Sequence, residues 1–208
     1  MEVSRRSVLA QIGSTAVLIP SAAGALTPTQ PLTMGPFYPL TRPFDRDADL
    51  TRVRGRTGRA LGQIIEVSGH VVNVRGDPVP NAKIEVWQAN AAGRYFHPSD
   101  TNTAPLDPNF QGYALIRTDA SGGYRYLTVK PGAYPGGRRG MRTPHVHVEI
   151  DGRLNRLVTQ MFFPGEALNA TDAILRDAVN PAEVTAIVLG RSADGVERYG
   201  WDIVLQSG

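Results

Sequence analysis

The run Arg142-Thr143-Pro144-His145-Val146-His147-Val148-Glu149-Ile150 limits the possible folds more than any other stretch. It reads as a β-strand entered from a proline. His145, His147 and Glu149 alternate with Val146, Val148 and Ile150, so a period of two puts both imidazoles on one face and the aliphatic side chains on the other. The aliphatic face needs a core. The opposite face carries two imidazoles of a chain that has only 4 His. Two His at i and i+2 on a rigid strand can act as paired metal ligands, or equally as half-buried or surface histidines of an ordinary sheet. The strand alone does not choose.

The rest of the chain supplies the core. With 208 residues, 41% hydrophobic and 20% charged, the composition suits one globular domain. A content of 22 Gly and 16 Pro favours many turns and short strands. Alternation predicts strands over residues 63–73, 82–88, 113–118, 124–129 and 157–163, and a turn over 119–123 predicts that 113–118 and 124–129 form a hairpin. A last hairpin, 185–191 with 196–205, is predicted around Ala193-Asp194-Gly195. A short helix over 171–179, capped by Thr or Asn, is the only clear helical signal. The expected fold is all-β, a β-sandwich of about eight strands with long functional loops and a short helix. Two loops, 89–111 and 130–144, lack periodicity. The first is too long to be a plain connection and carries Tyr95, Phe96 and Phe110, which argue against disorder.

Other classes drop out on composition. The chain has no Cys, which excludes disulfides, zinc–thiolate sites, iron–sulfur clusters and Cys nucleophiles. Net charge is only +3, and the arginines between Arg42 and Arg59 have no aromatic interleaving, so no nucleic-acid partner is predicted. Ser4-Arg5-Arg6-Ser7-Val8-Leu9 resembles a twin-arginine export signal, followed by an uncharged apolar stretch and by Ala23-Gly24-Ala25 for a signal peptidase. Residues 1–25 are read as that signal, too short and broken for a stable membrane span. This predicts an exported, periplasmic or extracellular protein. Residues 26–62 read as an extended arm that includes the stiff Gly35-Pro36-Phe37-Tyr38-Pro39, and 63–208 as the catalytic sandwich.

Each long loop presents one tyrosine, Tyr95 and Tyr134, in a position to adjoin the His strand. Two imidazoles and two phenolates on one ion would suit a hard trivalent cation. Iron(III) fits the charge count, because two phenolates and one hydroxide cancel three positive charges in a buried site. A free Tyr ionises at about pH 10, but a ferric ion can hold it deprotonated at neutrality. Taken singly, each tyrosine is as well explained by a place in the core or rim of a sandwich.

A set of motifs in a fixed order adds to this. They are Pro78-Val79-Pro80-Asn81, then Glu85-Val86-Trp87-Gln88-Ala89-Asn90-Ala91 with Gly93-Arg94-Tyr95, and then Ala104-Pro105-Leu106-Asp107-Pro108-Asn109-Phe110. Val129-Lys130-Pro131-Gly132-Ala133-Tyr134-Pro135, Arg142-Thr143-Pro144-His145-Val146-His147, Thr159-Gln160, Phe162-Phe163 and Trp201-Asp202-Ile203-Val204-Leu205 follow. This pattern resembles the intradiol ring-cleavage dioxygenases, most closely their protocatechuate-type, iron-bearing members. The resemblance implies one iron(III) per site, held by Tyr95, Tyr134, His145 and His147, with Tyr134 and His147 axial. It implies cleavage by O2 of a catechol-type ring between its two hydroxyl-bearing carbons, giving a cis,cis-muconate-type diacid. Tyr134 would take a catechol proton on leaving the metal. Arg142 would stabilise negative charge, and Gln160, Pro36 and Tyr38 would line the substrate pocket. The pattern departs from the family at Gly136, where those members have Trp, and in a shorter loop between Tyr134 and His145. Both departures predict a widened or reshaped entrance. With the arm and all four ligands in one chain, the protein could assemble as a homo-oligomer.

Rival readings are weaker. Residues 69–134 alone would fit a non-catalytic, transthyretin-like extracytoplasmic binding module, but such a module has no use for the two His and two Tyr together. A cupin needs an acid farther beyond the His pair than Glu149, and a copper/zinc superoxide dismutase needs more histidines. His70 and His97 are read as structural, His97 as a support for the Tyr95 loop.

Overall fold

A computed structural model describes residues 25–207, so nearly all of the export-signal reading lies outside the described residues. Eleven strands form in chain order: β1 Ile64–Asn73, β2 Lys83–Trp87, β3 Tyr113–Arg117, β4 Gly123–Val129, β5 Tyr134–Pro135, β6 Met141–Arg142, β7 His145–Asp151, β8 Arg156–Phe162, β9 Ile187–Arg191, β10 Glu197–Gly200 and β11 Ile203–Leu205. One four-residue α-helix, α1, spans Ala173–Arg176. No helix among the described residues is long and apolar enough to cross a membrane.

The strands make the two layers of a sandwich. In the first sheet β1 is central, antiparallel to β4 on one side and parallel to β10 and β11 on the other, with β9 beyond β10. The second sheet has the order β3-β2-β7-β8, all antiparallel. Alternation then decides which side chains meet. Ile65, Val67 and Val71 of β1 and Tyr124 and Tyr126 of β4 enter the same core as Ile84 and Val86 of β2 and Val146, Val148 and Ile150 of β7. These side chains leave water almost completely, the main source of folding free energy in a domain of this size.

The structure corrects three expectations. The turn over 119–123 does not close a hairpin: β3 pairs with β2 and β4 with β1, so the turn carries the chain from one sheet to the other. The Asp119 carboxylate accepts the amides of Ser121 and Gly123 and makes that corner compact. The last predicted strand is two strands, because the ladder breaks at Trp201 and Asp202. There the Trp201 amide bonds to Ser68 O and Asp202 accepts the His70 amide. The helix is shorter than predicted, and its cap is Asp172, whose Oδ1 accepts the amides of Ile174 and Leu175.

The arm is part of the fold. The Leu26 amide bonds to Val74 O, Thr29 N to Val204 O and Leu32 N to Val158 O, so its first residues lie along both sheets. Leu50, fully buried in the core, is tied by reciprocal bonds around Leu127. Arg42 of the arm donates from Nη2 to Glu85 Oε1 at 2.8 Å. Glu85 lies on the outer face of β2, fully buried, and also accepts the hydroxyls of Tyr38 and Tyr113, each at 2.7 Å.

Burial alone would raise the Glu85 pKa, but the hydroxyls of Tyr113 and Tyr38 and the Lys83 ammonium overcome it and hold the carboxyl at about 2. The folded value is depressed, so this stabilisation is complete above the ordinary value of 4.5 and is lost as pH falls towards about 2. Glu85→Gln should cost about 2 kcal/mol at pH 7, by leaving strong donors poorly matched. Urea midpoints should show the gap between wild type and variant shrinking between pH 5 and pH 3. A gap of constant size would mean that the charge of Glu85 stabilises nothing.

Candidate active site

The outer face of the second sheet carries a row of side chains set by strand register. Tyr113 is paired with Trp87, Trp87 with His147, and His147 with Gln160, while His145 is paired with Phe162. Trp87 lies flat on the His147 ring, with centroids 5.2 Å apart and planes 9° from parallel. Both imidazoles are buried, at 1% and 0% exposure. His145 Nδ1 is 2.6 Å from the Thr143 carbonyl, which can only accept, so Nδ1 carries the proton and Nε2 offers its lone pair. The two Nε2 atoms face each other at 3.2 Å.

Two loops bring the tyrosines over this face. Asp100 accepts the Tyr95 amide at 2.7 Å. Asn90 holds both loops together: its side chain accepts the amides of Ala92 and Arg94, and its carbonyl accepts Gly132 N from the Tyr134 loop. Tyr134 itself sits in β5, paired with Arg142 in β6. The two phenol rings meet edge to face at 5.2 Å. Tyr134 Oη lies 3.1 Å from His145 Nε2, and the Tyr95 hydroxyl is buried with no hydrogen-bond partner among the described residues.

Burial governs the charge state of all four groups. It pushes His145 down to about 3, helped by the nearby Arg142 and opposed by the Thr143 carbonyl. It holds His147 well below the ordinary range, with His145 and Arg142 adding to the effect. Burial raises Tyr95 far above 10, with Tyr134 adding to it, and raises Tyr134 against the lowering effect of Arg142. Without a cation, therefore, the site holds two neutral imidazoles and two neutral phenols. The Tyr134 hydroxyl and the second imidazole crowd one lone pair, while a buried hydroxyl has no partner. A cation between the four groups would accept both lone pairs and draw the protons from the phenols. The donor set of two nitrogens and two phenol oxygens fits a hard trivalent ion.

Arg142 stands beside this set, 4% exposed. Its Nε donates to Asp172 Oδ2 and its Nη2 to Gln160 Oε1, both at 2.7 Å. Gln160 in turn donates to Thr33 O of the arm at 2.8 Å. The arm crosses directly over His147. Gly35 has φ +69°, and a Cβ there would come within 2.9 Å of His147 Cε1, so the close approach requires glycine. Phe37 covers the phenols, 4.6 Å from the Tyr95 ring and 6.0 Å from that of Tyr134. Pro36 is exposed, and the Tyr38 hydroxyl is committed to Glu85 behind Trp87. A cavity of about 860 Å³ adjoins Phe37, Trp87 and Tyr95, and its lining does not include His145, His147 or Arg142.

Gly136 lies against Arg142. The stem of Arg142 fills the space, and a Cβ on Gly136 would meet Arg142 Cγ at 2.8 Å and Cδ at 3.0 Å. His97 supports the Tyr95 loop by accepting the Ser99 amide and packing on Phe37, whereas His70 lies exposed beside Asp202, apart from the site. Sequence reasoning missed Asp172, Asn90 and Phe37. Asp172 immediately before Ala-Ile-Leu was a readable cap, and Phe37 stood inside a stiff motif.

Known proteins carry the same pattern. The family model described as Dioxygenase matches residues 34–207. A Burkholderia cepacia protein, protocatechuate 3,4-dioxygenase beta chain, is 45% identical over 168 residues, which is 77% of this chain and 72% of that one. Hydroxyquinol 1,2-dioxygenase of Corynebacterium glutamicum is 33% identical over 153 residues, 66% of this chain, which spans only 47% of that enzyme. Among solved structures, the dioxygenase domain of a dioxygenase–carbohydrate-binding protein fusion from Streptomyces sp. SirexAA-E superposes with a TM-score of 0.66 at 29% identity, covering 88% of this chain and all of that one. The order of motifs, the sandwich and these matches agree, and the chain belongs to the intradiol ring-cleavage dioxygenase family.

Proposed function

We propose that this chain is a non-haem iron(III) dioxygenase that uses O2 to cleave a catechol-type ring between its two hydroxyl-bearing carbons, giving a cis,cis-muconate-type diacid. The observation that carries the reading is the convergence of two buried neutral imidazoles with two buried phenols, one of them without a partner among the described residues. Tyr95, Tyr134, His145 and His147 would hold the ion. The chemistry supplied by a bound ferric ion is Lewis acidity, which keeps the phenols ionised and draws electron density from a coordinated catechol ring.

The chain's own residues do the rest. Tyr134 Oη, once ionised, is a base within reach of a catechol hydroxyl proton. Two of the five N–H donors of Arg142 are engaged by Asp172 and Gln160. Those left over face negative charge as it builds on the substrate, in a site where burial makes them effective. Trp87 and Phe37 wall off water. Gln160 ties Arg142 to the arm, through its bonds to Arg142 Nη2 and Thr33 O. Substrates named for the relatives, protocatechuate and hydroxyquinol, share the ortho-diphenol unit, which is the substrate class inferred for this chain. The binding-module alternative leaves the four converging groups without a use.

Three outcomes test this reading. Protein loaded with iron(III) should show a visible tyrosinate charge-transfer band that moves to longer wavelength with anaerobic catechol and returns once O2 is admitted. Chelation should remove both colour and activity. A preparation that stays colourless after reconstitution sinks the proposal. Gly136→Ala should press on the stem of Arg142 and lower kcat about tenfold. Unchanged kcat would show that Arg142 moves aside at no cost. Export is inferred from Ser4 to Ala25. Fractionation of cells making the full chain should find it outside the cytoplasm, and Arg5→Lys with Arg6→Lys should retain it inside.

A further inference from the structure

One buried carboxylate beside the site has a contact pattern that a structural cap does not need. Asp172 is 0% exposed and makes four hydrogen bonds, split between its two oxygens. Oδ1 accepts Ile174 N and Leu175 N, both at 3.0 Å, which caps α1. Oδ2 accepts Arg142 Nε at 2.7 Å and Thr143 N at 2.9 Å. Those two partners are the first two residues of the segment that leads into the His strand. Thr143 then uses its carbonyl to hold His145 Nδ1. A single carboxylate therefore fixes both the guanidinium of Arg142 and the peptide that sets the orientation of His145.

We propose that Asp172 is a positioning residue for the ring-cleavage reaction. It holds Arg142 with its Nε side turned away, so that the unengaged N–H groups face the substrate, and it anchors the Thr143 peptide that orients His145. The inference rests on the role given to Arg142 above. Its physical basis is that a guanidinium on a flexible stem must be locked on one edge before its other edge can act as a preorganised donor. Gln160 engages Nη2 but is neutral, so Asp172 alone supplies the charge that makes burial of Arg142 tolerable. Because Oδ1 and Oδ2 serve different partners, the capping and positioning roles can be separated.

Asp172→Ser keeps a hydroxyl at the cap, where Ser is as good as Asp, but is too short to reach Arg142. Asp172→Asn keeps the size and removes the charge. With the full chain loaded with iron(III) and catechol as substrate, Asp172→Ser should lower kcat at least tenfold while KM changes less than threefold. In an Arg142→Met background the same substitution should lower kcat by a clearly smaller factor, the part that acts through the Thr143 peptide and His145. A kcat within twofold of wild type for Asp172→Ser overturns the proposal, as does an equal loss in both backgrounds.

Melting temperature gives a readout independent of turnover. Asp172→Asn should lower Tm in the wild type, where it leaves Arg142 buried without its anion. The loss should be clearly smaller in the Arg142→Met background, where the remaining partners of Asp172 are the amides of Thr143, Ile174 and Leu175. The same lowering in both backgrounds would break the pairing on which the proposal stands. Wild-type protein that binds iron but does not cleave catechol would instead remove the proposed function, and the Tm cycle would still decide whether Asp172 and Arg142 act as a unit.

Discussion

Two neutral imidazoles buried side by side on one face of β7, with their Nε2 atoms 3.2 Å apart, must be held in orientation by their neighbours. Everything around the site follows from that constraint. The Thr143 carbonyl fixes one tautomer, Trp87 lies flat on the other ring, and the arm closes the face at Gly35. The two phenols come from loops tied together through Asn90, so neither tyrosine is placed independently of the other. What results is a buried cluster in which Tyr134 Oη and the two imidazole Nε2 atoms crowd one another and the Tyr95 hydroxyl has no partner among the described residues. Among the described residues the Tyr95 hydroxyl and His147 Nδ1 both lack a hydrogen-bond partner, and such a defect is where binding energy is available.

Two buried carboxylates flank the His strand and solve different problems. Glu85 lies behind Trp87, where it gathers Tyr38, Tyr113, Arg42 and Lys83 and so fastens the arm to the sheet. Asp172 lies at the other end of the row and holds Arg142. A buried carboxylate that serves several donors at once costs less to desolvate than one that serves a single partner, because each added bond favours the charged form. Both carboxylates follow this pattern, which explains how one face can carry charges at each end and a charge-poor centre between them.

The sheets were legible from the sequence because alternation is a local property: the faces of β1, β2, β7 and β8 could be assigned from their own residues. What escaped was long-range. The turn at 119–123 has the chemistry of a hairpin, and nothing local says that β3 and β4 join different sheets. That outcome depends on Ala114 and Ile116 meeting Tyr124 and Tyr126 across the core. The four converging residues were legible because tyrosine and histidine in those motifs are rare together. Asp172 was not, because its cap signal is satisfied locally and its second oxygen is used some thirty residues upstream in the chain. At Gly136 an absent side chain suggests empty space, and the space next to its backbone belongs to the stem of Arg142.

That substitution of space bears on how the site is built. With no side chain at Gly136, the loop between Tyr134 and Arg142 tightens into a single turn over Gly137–Arg139, and β5 and β6 pair so that Tyr134 stands directly opposite Arg142. A phenol and a guanidinium in register on a two-residue ladder cannot shift independently. Movement of Tyr134 away from His145 would therefore be felt at Arg142, and Asp172 and Gln160 resist it there. The short turn, the glycine and the Asp172 carboxylate together brace the site, so that the Tyr134 phenol and the Arg142 guanidinium are mechanically linked.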